Sequence, residues 1–108
     1  MKGSAMKRSI LEAAKVIRSK NAGPFELTFD IIFKNPEFYE MFKERQIINE
    51  KMMAELLQIK IDDIIGVIWF APANAVKITI KRPMPSGAPG ETDIYGAQQH
   101  APLLKIEF

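Results

Sequence analysis

Three groups of side chains in this sequence have types and spacings suited to chemistry. The first is Arg18-Ser19-Lys20-Asn21-Ala22-Gly23-Pro24-Phe25. It sets two cations, a hydroxyl and an amide beside a glycine, which lets backbone approach a ligand closely. Arg18, Ser19, Lys20, Asn21 and Gly23 could hold a carboxylate or phosphate through guanidinium and amide donors. The same stretch also reads as a plain polar turn between two strands, because Asn-Ala-Gly-Pro is good turn material. No phosphate-loop or dinucleotide fingerprint accompanies it.

The second group is Tyr95-Gly96-Ala97-Gln98-Gln99-His100. Tyr95, Gln98 and Gln99 can hydrogen-bond a polar ligand or a partner backbone. His100, the only histidine, is the candidate general acid or base, because an unperturbed imidazole changes charge near neutral pH. A lone histidine in a short chain is more often structural or exposed. The third group is Lys77, Thr79 and Lys81 on one strand face, with Asp30 able to neutralise one cation across a sheet. Such a face is usually just solvated. The sharper reading joins Arg18 and Lys77 in one anion site. No nucleophile has a supporting motif, and Ser19 and Ser86 lack an elbow.

Composition narrows the classes. The chain has 108 residues, 47% hydrophobic and 26% charged, which suits one globular domain. It has no cysteine and one histidine, so disulfide scaffolds, cysteine-based zinc sites and multi-histidine metal sites within one chain are excluded. No metal or cofactor is expected. Fifteen basic against thirteen acidic residues leave +2, too small a surplus to suggest nucleic-acid binding. No apolar run approaches the roughly 18–20 residues that span a bilayer. No apolar stretch follows the start MKGSAMKRS, so a cytoplasmic protein without membrane association is expected.

The elements that must position these groups follow from periodicity. Phe25 to Phe33 alternates apolar and polar residues, the period of a half-buried strand. Val76 to Lys81 repeats the pattern. Leu104, Ile106 and Phe108 against Lys105 and Glu107 predict a final strand. Residues 13–18 read as a first strand, with a helix begun at Ser9 as the alternative, and the apolar run Ile64 to Phe70 reads as a central strand. Asn35-Pro36-Glu37 is a helix start with a cap, a first-turn proline and an acid at the positive dipole end. A second helix is expected from Asn49, with Met52, Met53, Leu56 and Leu57 as its buried stripe. Residues 83–92 form a Pro/Gly-rich loop. Thr92 or Asp93 then caps a short helix through Tyr95 to Gln99.

The resulting order is β-β-α-α-β-β-(short α)-β. It predicts an α+β, two-layer sandwich with a mostly antiparallel sheet and helices on one face. The other face would carry Thr28, Asp30, Lys77, Thr79, Lys105 and Glu107. Residues 1–9 are expected to be a flexible lead-in to a single domain spanning 10–108.

The run from Val16 to Phe33 and the tail Asp93-Ile94-Tyr95-Gly96-Ala97-Gln98-Gln99-His100-Ala101-Pro102-Leu103-Leu104 resemble the two signatures of a bacterial family, domain of unknown function 4387. Ala73 to Ile80, with Arg82-Pro83, fits between them. The resemblance covers residues 10–108. It implies a relation to the small, ferredoxin-like domain that accompanies AtuA-type proteins of acyclic terpene utilisation. In that domain too an Arg-Ser loop precedes a strand, followed by an Asn-Pro-capped helix carrying a tyrosine, here Tyr39. That loop is typically acidic, whereas here it reads Lys20-Asn21-Ala22-Gly23.

The resemblance implies a small subunit, non-catalytic or completing a shared site. Its partner would be an AtuA-type large protein in catabolism of carboxylic acids or their acyl thioesters. Two other readings stand beside it. One is an independent lyase or hydratase that holds a small carboxylate through Arg18 and Lys77 and moves a proton through His100. The other is a homodimeric small-ligand module, because a sheet with one bare face gains from covering it.

Overall fold

The computed structural model describes residues 7–81 and 101–108. Strands β1 (Ala14–Asn21) and β2 (Glu26–Phe33) form a hairpin. Helices α1 (Pro36–Glu44) and α2 (Glu50–Leu57) follow. Strands β3 (Ile64–Phe70) and β4 (Ala75–Lys81) complete an antiparallel sheet in the order β1-β2-β4-β3. Single 3-10 turns occupy Ile10–Glu12, Ile61–Asp63 and Ala71–Ala73, and a longer 3-10 segment spans Ala101–Lys105. The fold is α+β. A ferredoxin-like chain runs βαββαβ, whereas the described elements run ββααββ.

Both helices start where capping chemistry predicts. Asn35 Oδ1 accepts from Phe38 N–H and Asn49 Oδ1 from Met52 N–H, each at 2.8 Å. Each cap stabilises its helix by about 1 kcal/mol. Tyr39 and Phe42 of α1 and Met53 and Ala54 of α2 are buried. They meet the alternating side chains Leu27, Phe29, Ile31 and Phe33 of β2 and Val76, Ile78 and Ile80 of β4. Phe33 is central to this layer, 4.7 Å from the Phe42 ring and parallel to Trp69 at 6.5 Å.

Four expectations need correction. Among the described residues the apolar run Ile64–Phe70 is an edge strand rather than a central one. Its apolarity leaves Ile65, Ile68 and Phe70 exposed. The first strand extends to Asn21, so Arg18, Ser19, Lys20 and Asn21 are strand residues and not a loop. The expected final strand is a 3-10 segment, with one antiparallel bridge from Glu107 to Ser9. Its buried Leu103 and the buried Ile106 just beyond its end lie three apart, and Ile106 N–H donates to Leu103 C=O, the 3-10 bonding pattern. Lys105 and Glu107 therefore lie off the sheet. Finally, Thr28 and Asp30 are 4% and 8% exposed rather than bare. They sit on an inner strand, between β1 and β4, where Arg18 and Lys77 flank Asp30, and Lys20 and Thr79 flank Thr28.

The two ends of the described chain meet. Arg8 and Phe108 exchange backbone hydrogen bonds of 2.8 Å in both directions. The Arg8 guanidinium lies 5.0 Å from the Phe108 ring centre and 5.5 Å from that of Phe38. The Pro/Gly loop at 83–92 and the short helix over Tyr95–Gln99 lie outside the described residues.

Candidate functional site

The strand registers set out the sheet face opposite α1 and α2, helix-free among the described residues, as three rows. The first runs Val16, Ile32, Ala75, Phe70 across β1, β2, β4 and β3, and is apolar. The next runs Arg18, Asp30, Lys77, Ile68, so a carboxylate stands between two cations. The third runs Lys20, Thr28, Thr79, Gly66, and is polar. The period of two in each strand places side chains of one row type on one face.

A groove of about 430 Å³ lies on this face, lined by Arg18, Lys20, Asp30 and Lys77 with Ile32, Ala75, Ile68, Phe70 and Ala73. That volume falls in the range of small-ligand sites, roughly 300–1,000 Å³. Three cations against one carboxylate leave a surplus of two positive charges. Arg18 Nε donates to Asp30 Oδ2 at 3.1 Å. The bond uses one of five guanidinium N–H donors. Among the described residues Lys77 makes no ion pair. An anion above this row would meet one oriented fork and one flexible ammonium, opposed by the Asp30 carboxylate between them.

The sheet brings Arg18, Lys20 and Lys77 together and separates them from their sequence neighbours. Ser19, 8% exposed, and Asn21 project on the helix-bearing face, in register with Phe29 and Leu27. Gly23 lies in the β1–β2 turn at φ 134°, a conformation glycine adopts without strain. Ala22 N–H donates to Glu26 C=O there, as in an ordinary hairpin. Tyr95, Gln98, Gln99 and His100 lie outside the described residues. The sequence alone presents Asp30 only as a neutralising charge. Its burial and its place between the cations needed the register to appear.

A second polar group stands apart from this face. Among the described residues the buried Tyr39 hydroxyl has no hydrogen-bond partner, while Lys43 Nζ sits 5.8 Å from the ring centre. Among the described residues no group of three His, Cys, Asp or Glu side chains could hold a metal ion. Nor is any described helix long and apolar enough to cross a membrane.

The family described as Domain of unknown function (DUF4387) matches residues 10–107, and the chain belongs to it. No curated protein and no solved structure matches the chain.

Proposed function

We propose that this family member is the small, site-completing subunit of a complex with an AtuA-type large protein. Its contribution is the groove on the helix-free sheet face. The groove takes the carboxylate of a small branched or unsaturated acid, or the acyl group of its thioester. The observation that carries this reading is the convergence of Arg18, Lys20 and Lys77, from two strands on either side of β2, beside an apolar row. The anion would sit between the cations of the middle row. The hydrocarbon would lie on Ile32, Ala75 and Phe70, where its burial contributes about 0.8 kcal/mol per methylene. Apolar contact gives affinity to acid and thioester alike, and the cations favour the free acid over its neutral amide.

The test has two arms. Calorimetric titration of the chain with branched carboxylates should show saturable binding that the matching amides lack. Lys77→Ala and Arg18→Ala should each weaken it. Co-purification from native lysate should recover a large AtuA-type protein in stoichiometric amount. Absence of carboxylate and thioester binding by the chain and by any recovered complex would overturn the reading.

A further inference from the structure

Strand β3 lies at one edge of the sheet, and among the described residues its outer side has no strand partner. An edge strand presents a row of unpaired backbone N–H and C=O groups, which proteins normally protect with charge, proline or irregularity. β3 reads Ile-Ile-Gly-Val-Ile-Trp-Phe, without charge or proline. Its only irregularity is a register shift between Ile64 and Gly66, which leaves Gly66–Phe70 as a regular ladder. The opposite edge differs. β1 carries Lys15, Arg18 and Lys20.

Within the regular ladder, Gly66, Ile68 and Phe70 share the helix-free face. Ile68 is 60% and Phe70 57% exposed, while the space a Gly66 side chain would fill is open. These three residues are self-complementary. An antiparallel pairing centred on Ile68 sets Phe70 of each copy opposite Gly66 of the other. It sets Ile68 opposite Ile68, and Val67 opposite Trp69 on the other face. An aromatic ring across from a strand glycine covers the gap that the glycine leaves.

We propose that β3 pairs with β3 of a second copy of this chain in that register, joining two four-stranded sheets into one of eight. A second copy fits better than the other available edge. Pairing β1 with β1 sets like charges against each other. Pairing β1 with β3 is head-to-tail and leaves open edges that propagate into filaments. The β3 pairing is isologous and closes at two. Five paired residues span only about 17 Å. The interface therefore lies at the small end of specific contacts, and the dimer is reversible and concentration-dependent. Pairing also fixes Ile68 and Phe70, the apolar wall of the groove, but the proposal does not rest on the ligand reading. Arg18→Ala should leave the dimer intact.

The experiment is light scattering on the full chain across a concentration series, with two variants. Wild type should rise from 12.2 kDa toward twice that mass. Ile68→Lys, at an exposed position, should stay monomeric with an unchanged circular dichroism spectrum. The chain has no cysteine, so Ile68→Cys introduces a single thiol. Facing residues of an antiparallel pair stand about 4.5–5.5 Å apart at Cα, within disulfide reach. Mild oxidation of Ile68→Cys should give a covalent dimer, and Lys15→Cys on the β1 edge should not. Wild type that remains monomeric throughout would overturn the proposal. So would a dimer that survives Ile68→Lys and cross-links through residue 15.

Discussion

Arg18 and Asp30 stand opposite each other on neighbouring strands, and their contact is lopsided. The Asp30 side chain is 11% exposed and the Arg18 side chain 57%. An ion pair with so exposed a partner contributes about 0–1 kcal/mol to stability. Its consequence is orientation: the carboxylate holds one edge of the guanidinium and leaves the other toward the groove. Asp30 also moderates the positive surplus there.

Replacing that carboxylate therefore separates stability from ligand binding. Asp30→Asn keeps an acceptor for Arg18 Nε and removes one negative charge between Arg18 and Lys77. Affinity for a small carboxylate should rise by about 3- to 10-fold, equivalent to roughly 1 kcal/mol. The gain should shrink as salt is raised. Titration of wild type and variant at two ionic strengths reads this directly. Unchanged or weaker binding would show that the groove is not an anion site.

The buried Tyr39 hydroxyl has the opposite signature. An unpaired buried polar group costs about 1–3 kcal/mol, and removing it while keeping the ring removes that cost. Tyr39→Phe should raise unfolding free energy in urea by about 1 kcal/mol. The packing against Phe33 and Trp69 should survive, because it involves only the ring. A loss of stability instead would mean that the hydroxyl bonds an internal water.

Gln58 is a non-glycine residue in left-handed backbone at φ 59°, closing α2 with N–H bonds to Ala54 and Glu55 carbonyls. A side chain there costs about 1 kcal/mol that glycine avoids. Gln58→Gly should stabilise the fold by about 0.5–1 kcal/mol in thermal or urea unfolding. Asn74, at φ 52°, tolerates the same region better, so Asn74→Gly should be closer to neutral. Equal effects at the two sites would contradict this argument.

Phe108 joins the ends of the described chain to the core. Its ring packs 4.9 Å from Phe42 and 6.0 Å from Phe38, beneath the Arg8 guanidinium. Phe108→Ala should cost about 2–3 kcal/mol, below the value for a fully buried ring. Arg8→Ala should cost about 1 kcal/mol through the lost cation–π contact. Urea midpoints of the two single variants and the double variant measure their coupling.

Local chemistry made much of the fold legible. Asn35 and Asn49 advertise their helices because an amide oxygen at that position satisfies an otherwise orphaned N–H. Alternation in residues 25–33 and 76–81 gives β2 and β4 and their buried faces directly. What stayed hidden depends on distant partners. Ile64–Phe70 has the composition of a central strand, and only strand order reveals an edge. Arg18 to Asn21 look like a loop because their polarity suits one. In the sheet the strand period sends Arg18 and Lys20 one way and Ser19 and Asn21 the other. Lys77 lies nearly sixty residues from Arg18, and no local pattern reports that β2 spaces them across one row. At the C-terminus, alternation over five residues fits a strand, but the burial of Leu103 and Ile106 obeys a period of three.

Because Arg8 and Phe108 lie side by side, a short linker could join residue 108 to residue 8. New termini could then be opened at the Gly23 turn without breaking a strand pairing. Folding of such a rearranged chain would depend on which elements touch, with the order of synthesis free to change.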